Sequence, residues 1–337
     1  MADLITTYGG LRLKNPIIAG ASTLTSNLNN LKQIEEAGAS AIVYKSLFEE
    51  QIQLERLDFD QDLTEYEERN AEMIHLFPDI KHAGPIEHLM NLRLAKESVS
   101  IPVIASLNCI FSETWIEYAK LIQETGVDAI ELNFFSVPRD PKLEDKTILN
   151  NQLEIIRMIK NAVSIPITVK LSPFYANILN VVHSMDKEGI SGVVLFNRFL
   201  QPEINIDTEV FINHSSPSSS EENLLPMRYA GLLHGQIKAA ICCNSGIHHG
   251  KDVIKMILAG ADAVQIVSTL YTNKISHISN ILNELTNWMD VKHYPSIDSF
   301  KGKLSNKNIK NPFIYKRAQY IDILLKSSEV FKKYPLR

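Results

Sequence analysis

The chain has 337 residues, 45% of them hydrophobic and 22% charged, with a net charge of −5, the composition of an ordinary water-soluble globular protein. No apolar run approaches the roughly 20 residues of a membrane span, and the N-terminus MADLITTYGG lacks the apolar core of a secretory leader, so a cytoplasmic protein without a membrane partner is expected. The acidic balance argues against nucleic acid, and Cys109, Cys242 and Cys243 have no metal-ligand spacing, so neither a metal centre nor an iron–sulfur cluster is expected.

In chain order, β-branched runs bounded by turn signals predict strands at about 15–21, 41–47, 102–108, 129–135, 166–172, 192–198, 239–245 and 263–269. Helical patterns at 27–37, 87–99, 114–125, 148–163, 175–188, near 227–238, at 250–259 and at 275–289 alternate with them. Four helices end in a glycine that runs at once into an apolar strand, in EEAGASAIVYKS, QETGVDAIELN, DKEGISGVVLFN and LAGADAVQIVST. Glycine at that place is a left-handed helix cap, and the unit is the sequence form of a βα repeat. Eight such strands predict a (β/α)8 TIM barrel.

Two connections are too long for simple loops, 48–86 after the second strand and 199–226 after the sixth. Excursions of that length commonly cover an active site. The second holds His214-Ser215-Ser216-Pro217-Ser218-Ser219-Ser220, a composition that suits a mobile lid and suits plain disorder equally. Residues 291–337 extend past the eighth helix and are expected to pack on the barrel, so that 1–337 forms one domain. Residues 49–72 carry ten acids against Arg56 and Arg69, while 291–337 carry eleven Lys and Arg against three acids. These are solvated surfaces, or the tail docks on the acidic segment within or between subunits.

Chemistry in this fold gathers at the C-terminal ends of the strands. Those ends read Ala19-Gly20-Ala21-Ser22, Lys45-Ser46, Asn108, Asn133 with Ser136 beyond it, Lys170, Asn197, Asn244-Ser245-Gly246 and Ser268-Thr269. Lys45 and Lys170 stand in otherwise apolar strands, where an unpaired ammonium costs several kcal/mol. Each either snorkels to the barrel rim, meets an anion or is catalytic. The glycine and hydroxyls after the last two strands suit a phosphate cradle, and suit turn geometry as well.

The pieces NPIIAGAS, VYKS, ELNFFSVP, TVKLSP, FN, NSGI and IVST, in that order at the strand ends, resemble the dihydroorotate dehydrogenases, FMN-containing (β/α)8 enzymes. The resemblance implies that Ala19, Lys45, Ser46, Asn133, Lys170, Asn197, Ser245, Gly246, Ser268 and Thr269 contact FMN or line its pocket. Asn133, Asn197, Lys45 and Gly84 would meet a small-molecule substrate, Lys170 would stabilise negative charge on the flavin, and Ser136 would be the loop base, helped by a relay or water chain. The family oxidises (S)-dihydroorotate to orotate in pyrimidine biosynthesis, and its cytosolic members imply a homodimer. A separate electron-acceptor protein is a further expectation.

This chain departs from the family loop Asn-x-Ser-Cys-Pro-Asn, reading Asn133-Phe134-Phe135-Ser136-Val137-Pro138, so that Pro138 replaces a substrate-binding asparagine. The segment His82-Ala83-Gly84-Pro85 lacks the expected asparagine, and Ser245 replaces a glycine. Two other readings stay open. One is a Schiff-base aldolase or lyase using Lys170 or Lys45, and the other a flavin-binding electron-transfer subunit whose substrate pocket has degenerated.

Overall fold

The computed structural model describes residues 2–53, 85–135, 138, 140–199, 201–213, 216–316, 321 and 324–325. The chain opens with a hairpin, β1 (Thr6–Tyr8) and β2 (Leu11–Leu13). Gly9 and Gly10 between them both have positive φ, +57° and +80°, as a two-residue hairpin turn that follows the strand twist requires. Eight parallel strands follow: β3 (Ile17–Ala19), β4 (Ala41–Phe48), β5 (Val103–Asn108), β6 (Ala129–Phe134), β7 (Ile167–Leu171), β8 (Gly192–Leu195), β11 (Ala240–Asn244) and β12 (Ala263–Ile266). They close into a barrel in the order β11-β12-β3-β4-β5-β6-β7-β8. The expected (β/α)8 architecture is the one found.

The helices are α1 (Leu28–Glu36), α2 (Pro85–Ser98), α3 (Ser112–Glu124), α4 (Asp145–Ala162), α5 (Ile178–Lys187), α6 (Leu224–Leu233), α7 (Gly250–Ala259), α8 (Ser268–Asn273) and α9 (His277–Val291). Gly38, Gly126, Gly189 and Gly260, which follow α1, α3, α5 and α7, all have positive φ. That conformation costs an L-residue roughly 1–2 kcal/mol and glycine nothing, which is why the four repeats carry the same residue there.

Strand alternation divides the core into two layers. Val103, Ala105, Ile130, Val169, Val193, Cys243 and Val264 point outward and pack with the helices. Ile104, Ala129, Val194, Cys242 and Ala263 point inward and form a separate cluster with Tyr8 and Leu13 of the N-terminal hairpin. The hairpin, absent from the sequence prediction, supplies the apolar side chains that fill this end of the barrel. Its strands are three residues each, too short for a legible period.

Two further features differ from the sequence reading. The connection after β8 contains an antiparallel pair, β9 (Pro202–Asn205) and β10 (Val210–Asn213), and the eighth strand ends at Ile266, its predicted last residues forming α8. Beyond α9, the chain bonds to the barrel's outer helices: Gly302 N donates to Ile257 O, Leu304 N to Leu258 O and Asn306 N to Gly231 O, each at 2.8–2.9 Å. Among the described residues, no helix is long and apolar enough to cross a membrane, and no group of three or more His, Cys, Asp or Glu side chains is placed to hold a metal.

Candidate active site

Two cavities meet at the C-terminal end of the barrel. The larger, of about 870 Å³, is lined chiefly by apolar side chains such as Phe174, Leu224, Leu225, Leu258 and Ile314. The smaller, of about 460 Å³, lies over the barrel axis and holds the chemistry: Lys45, Ser46, Asn133, Lys170, Asn197, Arg198, Asn244, Ser245, Gly246, Gln265 and Ser268 all line it. Its volume falls within the roughly 300–1,000 Å³ of small-ligand sites. Asn197, Arg198, Asn244 and Ser245 border both cavities.

Neighbouring strands deliver these groups in register. Asn133 on β6 sits opposite Lys170 on β7. Asn108 Nδ2 donates to Asn133 O at 2.5 Å, and Asn244 Nδ2 to Phe196 O at 3.1 Å, so two strand-end amides brace the neighbouring chain. Lys45 and Ser46 are consecutive, yet both line the cavity. Alternation forbids that in a regular strand, and the β4–β5 register shifts between Tyr44 and Leu47, a bulge that turns both residues the same way. Ser46 Oγ lies 2.7 Å from Ser106 Oγ.

Lys170 is 8% exposed and is supported from below. Its Nζ donates to Gln265 Oε1 at 3.2 Å and lies 3.6 Å from Oε1 of Glu131, a carboxylate with no solvent exposure whose Oε2 accepts from Gln265 Nε2 at 2.5 Å. Sequence reasoning missed Glu131 and Gln265. The signal was present, because Glu131 in AIEL and Gln265 in AVQIV each stand as a lone polar residue among apolar strand neighbours, the criterion that singled out the lysines.

At the rim, Ser218 N donates to Ser268 Oγ (3.0 Å), Gly246 N to Ser218 Oγ (3.1 Å) and His248 Nε2 to Ser218 O (2.6 Å). Arg198 Nε reaches Glu222 Oε2 at 2.8 Å and Nη1 reaches Ser216 O at 2.5 Å. The described part of the serine-rich stretch, from Ser216 onward, is therefore fastened over the site rather than free. His214 and Ser215 lie outside the described residues. Gly246 has φ +68°, and a Cβ there would sit 2.6 Å from both Asn223 N and Ser219 O, so the close approach that this glycine permits is made by the protein's own backbone.

Two expected lining residues are elsewhere. Ala19 is fully buried in the outer core, because it points outward from β3, and Ala21, Ser22 and Thr23 line the cavity beside it. Thr269 is fully buried, with Oγ1 accepting from Asn273 Nδ2 at 3.1 Å and facing His248 O at 3.5 Å, so it braces α8 rather than the cavity. Ser136 and Gly84 lie outside the described residues. Phe135, just before Ser136, lines the cavity and stacks on Phe199 with ring centroids 4.5 Å apart, and Phe199 meets Phe174 edge-on at 5.1 Å. One wall of the mouth is therefore aromatic.

The cavity's charge is one-sided. Lys45, Lys170 and Arg198 line it, and no acid does among the described residues. Asn133 Oδ1 and Asn197 Nδ2 are buried without a hydrogen-bond partner. An acceptor and a donor left open in this way cost free energy unless a ligand completes them. The set fits an anionic, planar group with donor and acceptor edges, which describes FMN.

The family model described as dihydroorotate dehydrogenase matches residues 82–289. The catalytic subunit of dihydroorotate dehydrogenase B (NAD(+)) from Thermoplasma acidophilum is 27% identical over 313 residues, spanning 90% of this chain and 99% of that protein. The same-named subunit of Shouchella clausii is 25% identical over 311 residues, 90% and 98% of the two chains, and that of Methanocella arvoryzae 28% over 297 residues, 85% and 92%. The family model covers more than half of the chain, from the helix before β5 to the last barrel helix, and the chain belongs to the dihydroorotate dehydrogenase family.

Proposed function

We propose that this chain is an FMN-dependent dehydrogenase that oxidises dihydroorotate, or a closely related dihydropyrimidine ring, at a carbon–carbon single bond, in the manner of a pyrimidine-biosynthesis enzyme. The observation that carries the reading is the cavity at the strand ends, with three cations, no acid among its described residues, and the open amides of Asn133 and Asn197. FMN would supply a two-electron acceptor. Lys170, fixed by Gln265, would stabilise negative charge that develops on it. Lys45, Asn133 and Asn197 would bind and orient the ring and its carboxylate, Ser245, Ser268 and the backbone near Gly246 would hold the phosphate, and Ser136 would take the proton. Gly84 would meet the substrate.

The whole chain, 1–337, would act as one FMN-binding unit with 291–337 laid on the barrel, in the cytoplasm and as a homodimer. The relatives are named catalytic subunits, which supports a separate protein as electron acceptor. Family membership sets aside the Schiff-base reading of Lys170 and Lys45. Phe135 against Phe199 and Pro138 in place of an asparagine favour one second reading, a flavin subunit with an altered substrate pocket.

The test is the visible spectrum of purified protein before and after anaerobic dihydroorotate. A flavin band that bleaches is expected, and Ser136→Ala should slow the bleaching by at least about 100-fold. A bound flavin that dihydroorotate leaves oxidised would refute the substrate and favour the second reading. A protein that takes up no FMN would refute both.

A further inference from the structure

Glu131 presents an unusual arrangement inside the barrel. It pairs in register with Thr168, two residues deeper along β7 than Lys170, so it lies a layer beneath the cavity floor. Its Oε2 accepts from Gln265 at 2.5 Å, but its Oε1 has no hydrogen-bond partner and stands 3.6 Å from the Lys170 ammonium. Charge-assisted N–H···O⁻ contacts close to roughly 2.7–2.9 Å when nothing prevents it. In a buried setting the attraction is strong and the desolvation of both ions has already been incurred. Lysine is a point charge on a flexible stem and could follow that attraction downward. The pair is held open.

What holds it open is visible. Gln265, on β12 across the barrel, donates to Glu131 through Nε2 and accepts from Lys170 through Oε1 at 3.2 Å. Its amide is fully buried and bridges the two ions, satisfying one valence of each. We infer that Gln265 is a spacer that keeps the Glu131 carboxylate from capturing the Lys170 ammonium, and so is a positioning residue that holds this charge at the cavity floor. A lysine has three N–H donors. With one on Gln265 and one facing Glu131, a third is left for a ligand above. Capture by the carboxylate would withdraw the charge from the cavity and cancel most of its field.

The functional part of this inference rests on the FMN reading, whereas the geometric part does not. Gln265→Leu changes no charge and removes the bridge, and Gln265→Met, close in volume, is the second variant. In crystal structures of these variants without cofactor, the Lys170 Nζ to Glu131 Oε1 distance is expected to contract from 3.6 Å to below about 3.0 Å. In FMN-loaded protein, affinity for sulfite, an anionic probe of flavin electrophilicity read from loss of the visible band, should fall at least about tenfold in either variant. The double variant Glu131→Gln with Gln265→Leu has nothing to draw the ammonium down. Its sulfite affinity should return to within about threefold of the parent protein.

A distance that stays near 3.6 Å in both single variants would overturn the spacer, and so would a double variant that binds sulfite as weakly as the single one. Failure of the parent protein to bind flavin would refute the FMN reading, while the cofactor-free distance would still decide the spacer.

Discussion

Replacing Gly246 by alanine should destabilise the rim of the site far more than a single methyl group suggests. The residue has φ +68°, where an added Cβ costs roughly 1–2 kcal/mol. That Cβ would also stand 2.6 Å from Asn223 N and from Ser219 O, so the backbone of 219–223 must shift, an overpacking penalty of roughly 1–3 kcal/mol. The shift stretches two hydrogen bonds, Gly246 N to Ser218 Oγ and Asn223 Nδ2 to Gly246 O, worth about 1 kcal/mol each. Together the loss should be roughly 4–7 kcal/mol in urea unfolding, with weaker FMN uptake. The neighbouring Ser245 has φ +73° without being glycine, so Ser245→Gly relieves strain but adds freedom to the unfolded chain. It should shift stability by less than about 1 kcal/mol, toward stabilisation. A Gly246→Ala protein within about 1 kcal/mol of the parent would refute the packing of 219–223 against this loop.

Burial, and then the charge of Lys45, pushes His88 down to about 4, so the fold holds it neutral while the unfolded chain protonates it near 6.5. Its contribution is present above pH ~6.5 and is lost as pH falls through ~4. Between pH 7 and 4, His88→Phe should lose roughly 2–3 kcal/mol less stability than the parent, and equal losses would refute the assignment. Cys109, Cys242 and Cys243 are buried, and desolvation raises all three thiols. A thiol reagent at pH ~8 should modify none of them on mixing and all three in denaturant, whereas one fast thiol in the folded protein would contradict this. Lys170→Met should retain FMN through the rim contacts while slowing substrate-dependent reduction roughly 100- to 1000-fold in stopped flow. An unchanged rate would remove Lys170 from the chemistry.

Much of the architecture was legible in the sequence because its signals are local. Glycine after a helix reports a positive φ, and a short apolar run reports a buried strand, so four repeats and eight strands announced the barrel. Strand-end position selected Lys45, Ser46, Asn133, Lys170, Asn197, Ser245, Gly246 and Ser268, all of which line one cavity. Facing and partnership between distant residues were decided only in three dimensions. The sequence spacing of Ala19 does not say that it points outward, nor that the β4 bulge turns Lys45 and Ser46 together. Residues 95 and 134 positions apart in the chain meet at Gln265, and nothing in their neighbours along the sequence encodes that meeting. Serine-rich composition suggested mobility at Ser218, but its hydrogen bonds to Gly246 and Ser268 exist only once the last two strands stand side by side. Backbone conformation follows from nearest neighbours, whereas the charge and the open hydrogen bonds of a site follow from barrel closure, which brings every strand end to the same place.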